Sequence, residues 1–338
     1  MEIIFESLKQ ALSTMLSKTI VNADYQLKEM QAGSVGEVFL IIGTAETNIN
    51  DKTPYKMVLK VQKKWDRHGD PNSWRREYDL YTSNLENLFT SSIRRPKCYH
   101  AEINNSETRL WMEYVDGVTA LNLTGEMYER IAAELGRFQG ELYANQPLQL
   151  KRFTNLSKTD AFKNGYLYFK SLNGVYDYMR SDNCEIPKHL CEMIIETDNN
   201  VNEIWNQVEK LPIVLCHRDP FVWNVFVTDD AVTYIDWDST GWGYMGEDIV
   251  NLLLDSADIE NMVDYYHKCV PAYRNGFAQY ANISNISDMY ITERIITHFG
   301  YRLVDGYRLA QSSDERARKL DTLQKIYEIK MLDTPITC

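Results

Sequence analysis

Residues 214–238, VLCHRDPFVWNVFVTDDAVTYIDWD, set the architecture that the rest of the chain follows. An apolar run from Ile213 to Cys216 stops at His217-Arg218-Asp219-Pro220. Asn224 comes next, then two short β-branched or aromatic runs, Val225 to Thr228 and Val232 to Ile235. Asp229-Asp230-Ala231 separates them, and a polar break between strand-like runs predicts a hairpin. In a hairpin the residue entering the first strand lies beside the residue leaving the second, with the strands about 4.8 Å apart. Asn224 enters and Asp236 leaves. The pattern predicts an amide oxygen and a carboxylate near enough to share one small cation, with Asp219 on the adjoining loop.

A pair of hard oxygens with positions left for water and phosphate suits Mg2+, which prefers an octahedron and keeps several non-protein ligands. A carboxylate on the preceding loop accepts a proton from a hydroxyl or fixes its direction. These parts describe phosphoryl transfer from a metal nucleotide, in which catalysis is mostly positioning and charge neutralisation. H-R-D-x-x-x-x-N at 217–224 followed by I-D-W-D at 235–238 resembles the catalytic core of eukaryotic-like kinases, most closely the aminoglycoside phosphotransferase and choline kinase superfamily. Alone, His217, Asp219 and Asn224 are also what an ordinary turn contains; the upstream features argue against that alternative.

The resemblance implies an α+β, two-lobed protein-kinase-like fold. Residues 1–116 would form a nucleotide-binding lobe, an antiparallel β-sheet with one main helix that ends in a hinge. Residues 117–338 would form a mostly helical lobe with the catalytic loop, metal site and acceptor pocket. Asp219 is then the catalytic residue, and Asn224 and Asp236 hold Mg2+. His217 anchors the loop by hydrogen bonding.

Upstream, an amphipathic helix with Phe5, Leu8, Leu12 and Met15 on one face precedes a strand from Tyr25 to Gln31. Ala32-Gly33-Ser34-Val35-Gly36 and a second strand, Glu37 to Ile42, follow. Glycine lets a backbone approach phosphate oxygens without a Cβ in the way. Two glycines between strands also make a plain turn, so Gly33, Ser34 and Gly36 are assigned to the triphosphate only through the series they begin. Asn48 to Pro54 is a polar loop, and Tyr55 to Val61 the third strand. Lys60 there is flanked by Met57, Val58, Leu59 and Val61, and a lysine among apolar neighbours must find an anion or snorkel out. In kinases this lysine holds the α- and β-phosphates and pairs with a glutamate on the next helix. That helix runs from Ser73, its expected cap, towards Leu88, and Glu77 is the expected partner, with Asp79 a competitor. Tyr99 to Ile103 and Thr108 to Val115 form a further hairpin; by position in the series, the backbone at Glu113 and Val115 is assigned to the adenine edge.

Beyond residue 116 the pattern turns helical, first at Met127, Ile131, Leu135, Phe138 and Leu142, then over 160–180 and 187–209. Aromatic residues at this spacing are assigned to the core; the alternative is a cage for a quaternary ammonium ligand. Asp248 sits at a helix start, where a brace for the catalytic loop is expected. The short span from Asp236 to Asp248 lacks the A-P-E of protein kinases and has no room to hold a peptide, which points to a small-molecule acceptor. Arg218 stands where most antibiotic kinases carry glycine. It is assigned an ion pair and no catalytic role, and Asp238 is left between supporting the metal site and facing the substrate.

A net charge of -12 disfavours nucleic-acid and anionic-membrane partners and suits a cationic acceptor. The cysteines, at 98, 184, 191, 216, 269 and 338, include no close C-x-x-C pair, and reduced cytoplasmic thiols are expected. Cys184, His189 and Cys191 match no common zinc spacing and are assigned as partly buried side chains. The first segment is acidic where a signal peptide is basic, and no apolar run approaches the ~20 residues of a membrane helix. The expected activity is transfer of the γ-phosphate of ATP or GTP to a hydroxyl, first on an aminoglycoside-type antibiotic. Choline, ethanolamine, a sugar or another metabolite is the alternative acceptor, and a non-catalytic nucleotide-binding regulator the alternative class.

Overall fold

The long strands of the N-terminal part follow from a simple alternation of side chains. In this computed structural model, which describes residues 3–30, 36–48, 51–65, 67, 69–89, 93–171, 174–254, 258–286 and 289–333, helix α1 (Phe5–Leu16) comes first. Strands β1 (Ile20–Ala23), β2 (Gln26–Met30), β3 (Gly36–Thr47) and β4 (Lys52–Lys63) follow, then helix α2 (Ser73–Thr82). Strands β5 (Ile93–Arg94), β6 (Cys98–Ile103), β7 (Glu107–Glu113) and β8 (Val118–Thr119) come next. Helices α3 (Gly125–Asn145), α4 (Leu148–Arg152), α5 (Ala161–Lys170), α6 (Val175–Met179), α7 (Lys188–Asn199) and α8 (Val201–Val208) lead to β9 (Ile213–Cys216). After β10 (Val225–Val227), β11 (Val232–Tyr234) and β12 (Gly241–Tyr244), the chain ends in α9 (Glu247–Leu254), α10 (Met262–Ala278), α11 (Ile291–Ile295), α12 (Tyr301–Leu309) and α13 (Ser313–Asp333).

The chain divides into two compact units, one of Met1–Val118, Pro147–Leu156 and Thr228–Ser239, the other of Thr119–Gln146, Ser157–Val227 and Thr240–Cys338. In the first, β1, β3, β4, β7 and β6 lie side by side in an antiparallel sheet, and β2 also pairs with β3. Strand period two sends Met57, Leu59 and Val61 of β4 to the face covered by Leu8, Ala11 and Leu12 of α1. Val58 points to the opposite face, with Leu110 and Met112 of β7 and Tyr78 and Tyr81 of α2. Lys60 shares the parity of Val58. The same alternation that builds the core therefore delivers an ammonium to the α2 side.

Several boundaries differ from the sequence expectation. Pro54 lies inside β4, opposite Thr44, where β7 no longer flanks the strand and a missing N–H is tolerated. Strand β1 precedes the expected first strand. Asn72 takes the N-cap position of α2, so Ser73 is its first residue and is buried, and the helix stops at Thr82. The single helices expected over 160–180 and 187–209 are each two, the second broken at Asn200. Gly33 and Ser34 lie outside the described residues.

In the second unit α3 and α10 pack with their backbones nearly touching. A Cβ on Gly136 would sit 2.1 Å from the Tyr273 carbonyl oxygen, and one on Gly276 2.2 Å from that of Ala133. This close approach brings Tyr273 to Gln139. Strands β9 and β12 form an antiparallel pair, with Cys216 opposite Gly241. Among the described residues no helix is long and apolar enough to cross a membrane.

Candidate active site

In the first unit the site is built around Lys60. Its ammonium lies 2.5 Å from Glu77 Oε2 and 2.7 Å from Asp236 Oδ1. Burial works against its charge, but Asp236 and Glu77 outweigh burial and hold the ammonium well above the usual lysine range. Burial pushes the Glu77 carboxyl up; Lys60 pulls it down and Asp236 pushes it up again. Two carboxylates thus share one ammonium. Asp79 is bound by Arg75 and Asn155 instead, which leaves Glu77 as the lysine's helical partner.

Asp236 adopts a left-handed backbone, φ 63°, which a non-glycine residue holds only when its surroundings impose it. The next residues show how. Trp237 N–H donates to Glu77 Oε1 at 3.2 Å, and its indole N–H to the Tyr234 carbonyl at 2.8 Å. Arg76, only 1% exposed, donates to the Asp238 carbonyl at 2.6 Å, to the Asn155 carbonyl at 3.0 Å and to Asp70 at 2.5 Å. Arg67 meets the Asp238 carboxylate at 3.1 Å and the Ser239 hydroxyl at 2.8 Å. Asp238 is therefore tied to an arginine of its own unit.

Gly36 opens β3 opposite Gln62. Glu113, at the end of β7, spends its side chain on Arg94 at 2.8 and 3.0 Å and on Lys97 N–H, and its own N–H on the Lys97 carbonyl. Burial pushes its carboxyl up, but these donors outweigh burial and hold it below the usual range. Val115 is buried just past the strand.

The second unit holds the His217–Asn224 loop. Asp248, fully buried, accepts from His217 N–H at 2.9 Å, Arg218 N–H at 2.8 Å and the Gln139 amide at 3.0 Å. Burial pushes its carboxyl up to about 7 against the pull of the two backbone donors. Gln139 is held by the Tyr273 hydroxyl, which in turn accepts from Gly246 N–H. Arg218, at φ 69°, donates to Glu247 at 2.8 Å, Ser157 Oγ at 2.6 Å and the Trp242 carbonyl at 2.5 Å, so the expected ion pair is present. His217 Nδ1 accepts from Asp219 N–H at 3.2 Å. The Asn224 amide nitrogen donates at 3.0 Å to both the carbonyl and the carboxylate of Asp219. Its amide oxygen is the end not spent on Asp219.

Sequence reasoning missed Arg76, Arg67, Gln139 and Tyr273. The signal for Gln139 is a polar residue set among Ile131, Leu135, Phe138 and Leu142 on the buried face of α3. For Arg76 it is an arginine beside Glu77 on the inward face of α2.

Residues 67–282 match the phosphotransferase enzyme family, more than half of the chain. No curated protein sequence matches. Among solved structures the chain is similar to an aminoglycoside phosphotransferase from Alicyclobacillus acidocaldarius at 13% identity, covering 98% of this chain and 95% of that one, with a TM-score of 0.57. A choline kinase from Cryptosporidium parvum Iowa II gives 15% identity, 91% and 90% coverage and 0.55. An amicoumacin kinase in complex with AMP-PNP, Ca2+ and its ligand gives 13%, 90% and 88%, and 0.52. At such identities the likeness is one of fold, and the fold is protein-kinase-like.

Proposed function

Because the chain belongs to the phosphotransferase enzyme family, a group of small-molecule phosphotransferases, we propose that it moves the γ-phosphate of ATP or GTP to a hydroxyl of a small molecule. The observation that carries this is the half-buried Lys60 ammonium shared by Glu77 and Asp236. A lysine so placed keeps its charge, stays in one position and has one hydrogen left for a phosphate oxygen.

As the metal ligands we propose Asp236 and Asn224, whose side chains carry the hard oxygens that a divalent cation takes. Held there, a divalent cation such as Mg2+ would supply Lewis-acid neutralisation of charge developing on the transferring phosphate. Lys60, oriented by Glu77, holds the α- and β-phosphates. Gly33, Ser34 and Gly36 cover the triphosphate, and the backbone near Glu113 and Val115 receives the adenine. Asp219 takes the proton of the acceptor hydroxyl as the new bond to phosphorus forms, and Asp248 holds the loop that carries it. Residues 1–116 and 117–338 remain the proposed lobes.

An aminoglycoside-type acceptor is the first choice, with choline, ethanolamine, a sugar or another metabolite as the alternative. The acidic chain and similar proteins that are kinases of choline and aminoglycosides support a cationic alcohol. A cytoplasmic location belongs to the same proposal. The test is nucleotide consumption with Mg2+ across aminoglycosides, choline, ethanolamine and sugars, with Asp219→Asn as control. Turnover with a cationic alcohol, lost in the variant while nucleotide still binds, is expected. Binding without turnover on any acceptor would leave the regulator alternative, and turnover persisting in the variant would remove Asp219 from the chemistry.

A further inference from the structure

Two cysteines far outside the phosphotransfer residues in sequence face each other in the second unit. Cys184 Sγ lies 3.6 Å from Cys191 Sγ, and both thiols lean on the Ile186 carbonyl at 3.9 Å. Cys184 is half-buried on an exposed turn, whereas Cys191 is buried in the first turns of α7. His189, between them in sequence, is engaged elsewhere: its Nε2 meets Gln324 at 3.1 Å and its ring lies edge-on to Tyr327. The cluster therefore presents two sulfurs and no nitrogen. Among the other described cysteines, Cys216 and Cys269 are buried and the Cys98 thiol donates to the His100 carbonyl.

We propose that Cys184 and Cys191 form a redox-active dithiol, converted to an intramolecular disulfide by exchange with a low-molecular-weight disulfide such as oxidised glutathione. A disulfide needs sulfurs about 2.05 Å apart, so the pair must close from 3.6 Å. The thiolate of Cys184, the less buried of the two, attacks one sulfur of the small disulfide and expels a small thiolate. Cys191 then loses its proton to solvent, attacks the Cys184 sulfur and expels the second small thiolate. Two protein thiols are oxidised, one small disulfide is reduced, and the two protons lost by the protein go to the leaving thiolates. Burial pushes the Cys191 thiol up to about 12, so Cys184 is the attacking group and Cys191 the resolving one. The turn enclosed by the new ring also carries Glu185, which accepts from the Tyr307 hydroxyl at 3.2 Å and pairs with Arg316 at 3.3 Å. Oxidation would thus stiffen the attachment of this turn to α12 and α13.

Lys188 lies between the two cysteines, so trypsin separates them unless a disulfide joins the fragments. The reduced full-length chain is equilibrated across ratios of reduced to oxidised glutathione, quenched in acid and digested. Loss of two thiols with no glutathione retained on the protein is expected, with peptides 181–188 and 189–210 recovered as a linked pair. Cys191→Ser should trap glutathione on Cys184, and Cys184→Ser should leave Cys191 unmodified. Absence of the linked pair at the most oxidising ratio would overturn the proposal. So would Cys191 taking up glutathione in Cys184→Ser as readily as Cys184 does in Cys191→Ser. None of these outcomes depends on the acceptor.

Discussion

The Arg76 guanidinium donates to the main-chain carbonyl of Asp238 at 2.6 Å, one helix position before the glutamate that holds Lys60. Helix α2 therefore grips the 236–238 turn twice, through Arg76 on a carbonyl and through Glu77 on the Trp237 N–H. The left-handed backbone of Asp236 is held between these grips and the lysine. The position of one helix thus sets both the proposed phosphate-binding ammonium and the proposed metal carboxylate.

Replacing Arg76 with methionine should separate this clamp from the catalytic groups themselves. Asp70 loses its partner and two carbonyls lose donors, which should cost about 3 kcal/mol of stability. Mg2+-dependent nucleotide binding should weaken by about tenfold, with Mg2+-free binding little changed. Arg76→Lys should recover part of the stability but not the metal dependence, since one ammonium cannot serve three acceptors in a fork. Calorimetric titration with and without Mg2+ checks this, and equal weakening in both conditions would make Arg76 purely structural.

Lys60→Met leaves Glu77 and Asp236 facing each other without the ammonium. Turnover should fall by about 100-fold or more, the usual scale for removing one charge-stabilising donor. Both carboxylates then resist ionising together, so a proton is bound that water would remove. The thermal midpoint should therefore drop more at about pH 8 than at about pH 6. An equal drop at both would show that the two carboxylates do not depend on the lysine.

Asp248 offers a pH test with a definite sign. Burial raises its carboxyl from the ordinary 3.8 to about 7. The folded chain then prefers the protonated form, so the group's favourable contribution is complete below the unfolded value and is lost as pH rises through about 7. The midpoint of the wild type minus that of Asp248→Asn should decline from about pH 5 to about pH 7 and then level off. A flat difference would mean that the donors from His217, Arg218 and Gln139 overcome burial.

Much of this was readable because the relevant patterns are local. Alternation around Lys60 implied a strand with one charged exception, and Glu77 lay within one helix of it. Asp248 carried the signature of a helix start. What stayed hidden depends on partners distant in sequence. Arg76 meets Asp238 and Asn155 only after folding, and Gln139 meets Tyr273 only because Gly136 and Gly276 let two helices touch. Pro54 suggested a loop because its strand neighbour on one side ends early, which no local rule reveals. Helix breaks such as that at Asn200 were invisible to periodicity, since both halves keep an apolar face.

Arg218 joins a strained backbone to a well-satisfied side chain. Its φ of 69° costs about 1–2 kcal/mol in a residue with a Cβ, and glycine would relieve that strain. Yet its guanidinium makes three contacts, one of them to Glu247, which is 1% exposed. Arg294 lies 3.8 Å from the same carboxylate and donates to the Met245 carbonyl, so it replaces Arg218 poorly. Glu247 would keep only the Tyr244 N–H at 3.3 Å and that distant arginine, and a buried carboxylate stripped of its main partner costs about 3–5 kcal/mol, more than the relief of strain returns. Arg218→Gly should therefore destabilise the chain by about 2 kcal/mol in denaturant unfolding. Adding Glu247→Gln should recover most of the loss, because the stranded charge is gone while the relaxed backbone remains. If the double variant is no more stable than Arg218→Gly, the Glu247 pair is not what justifies an arginine at this position.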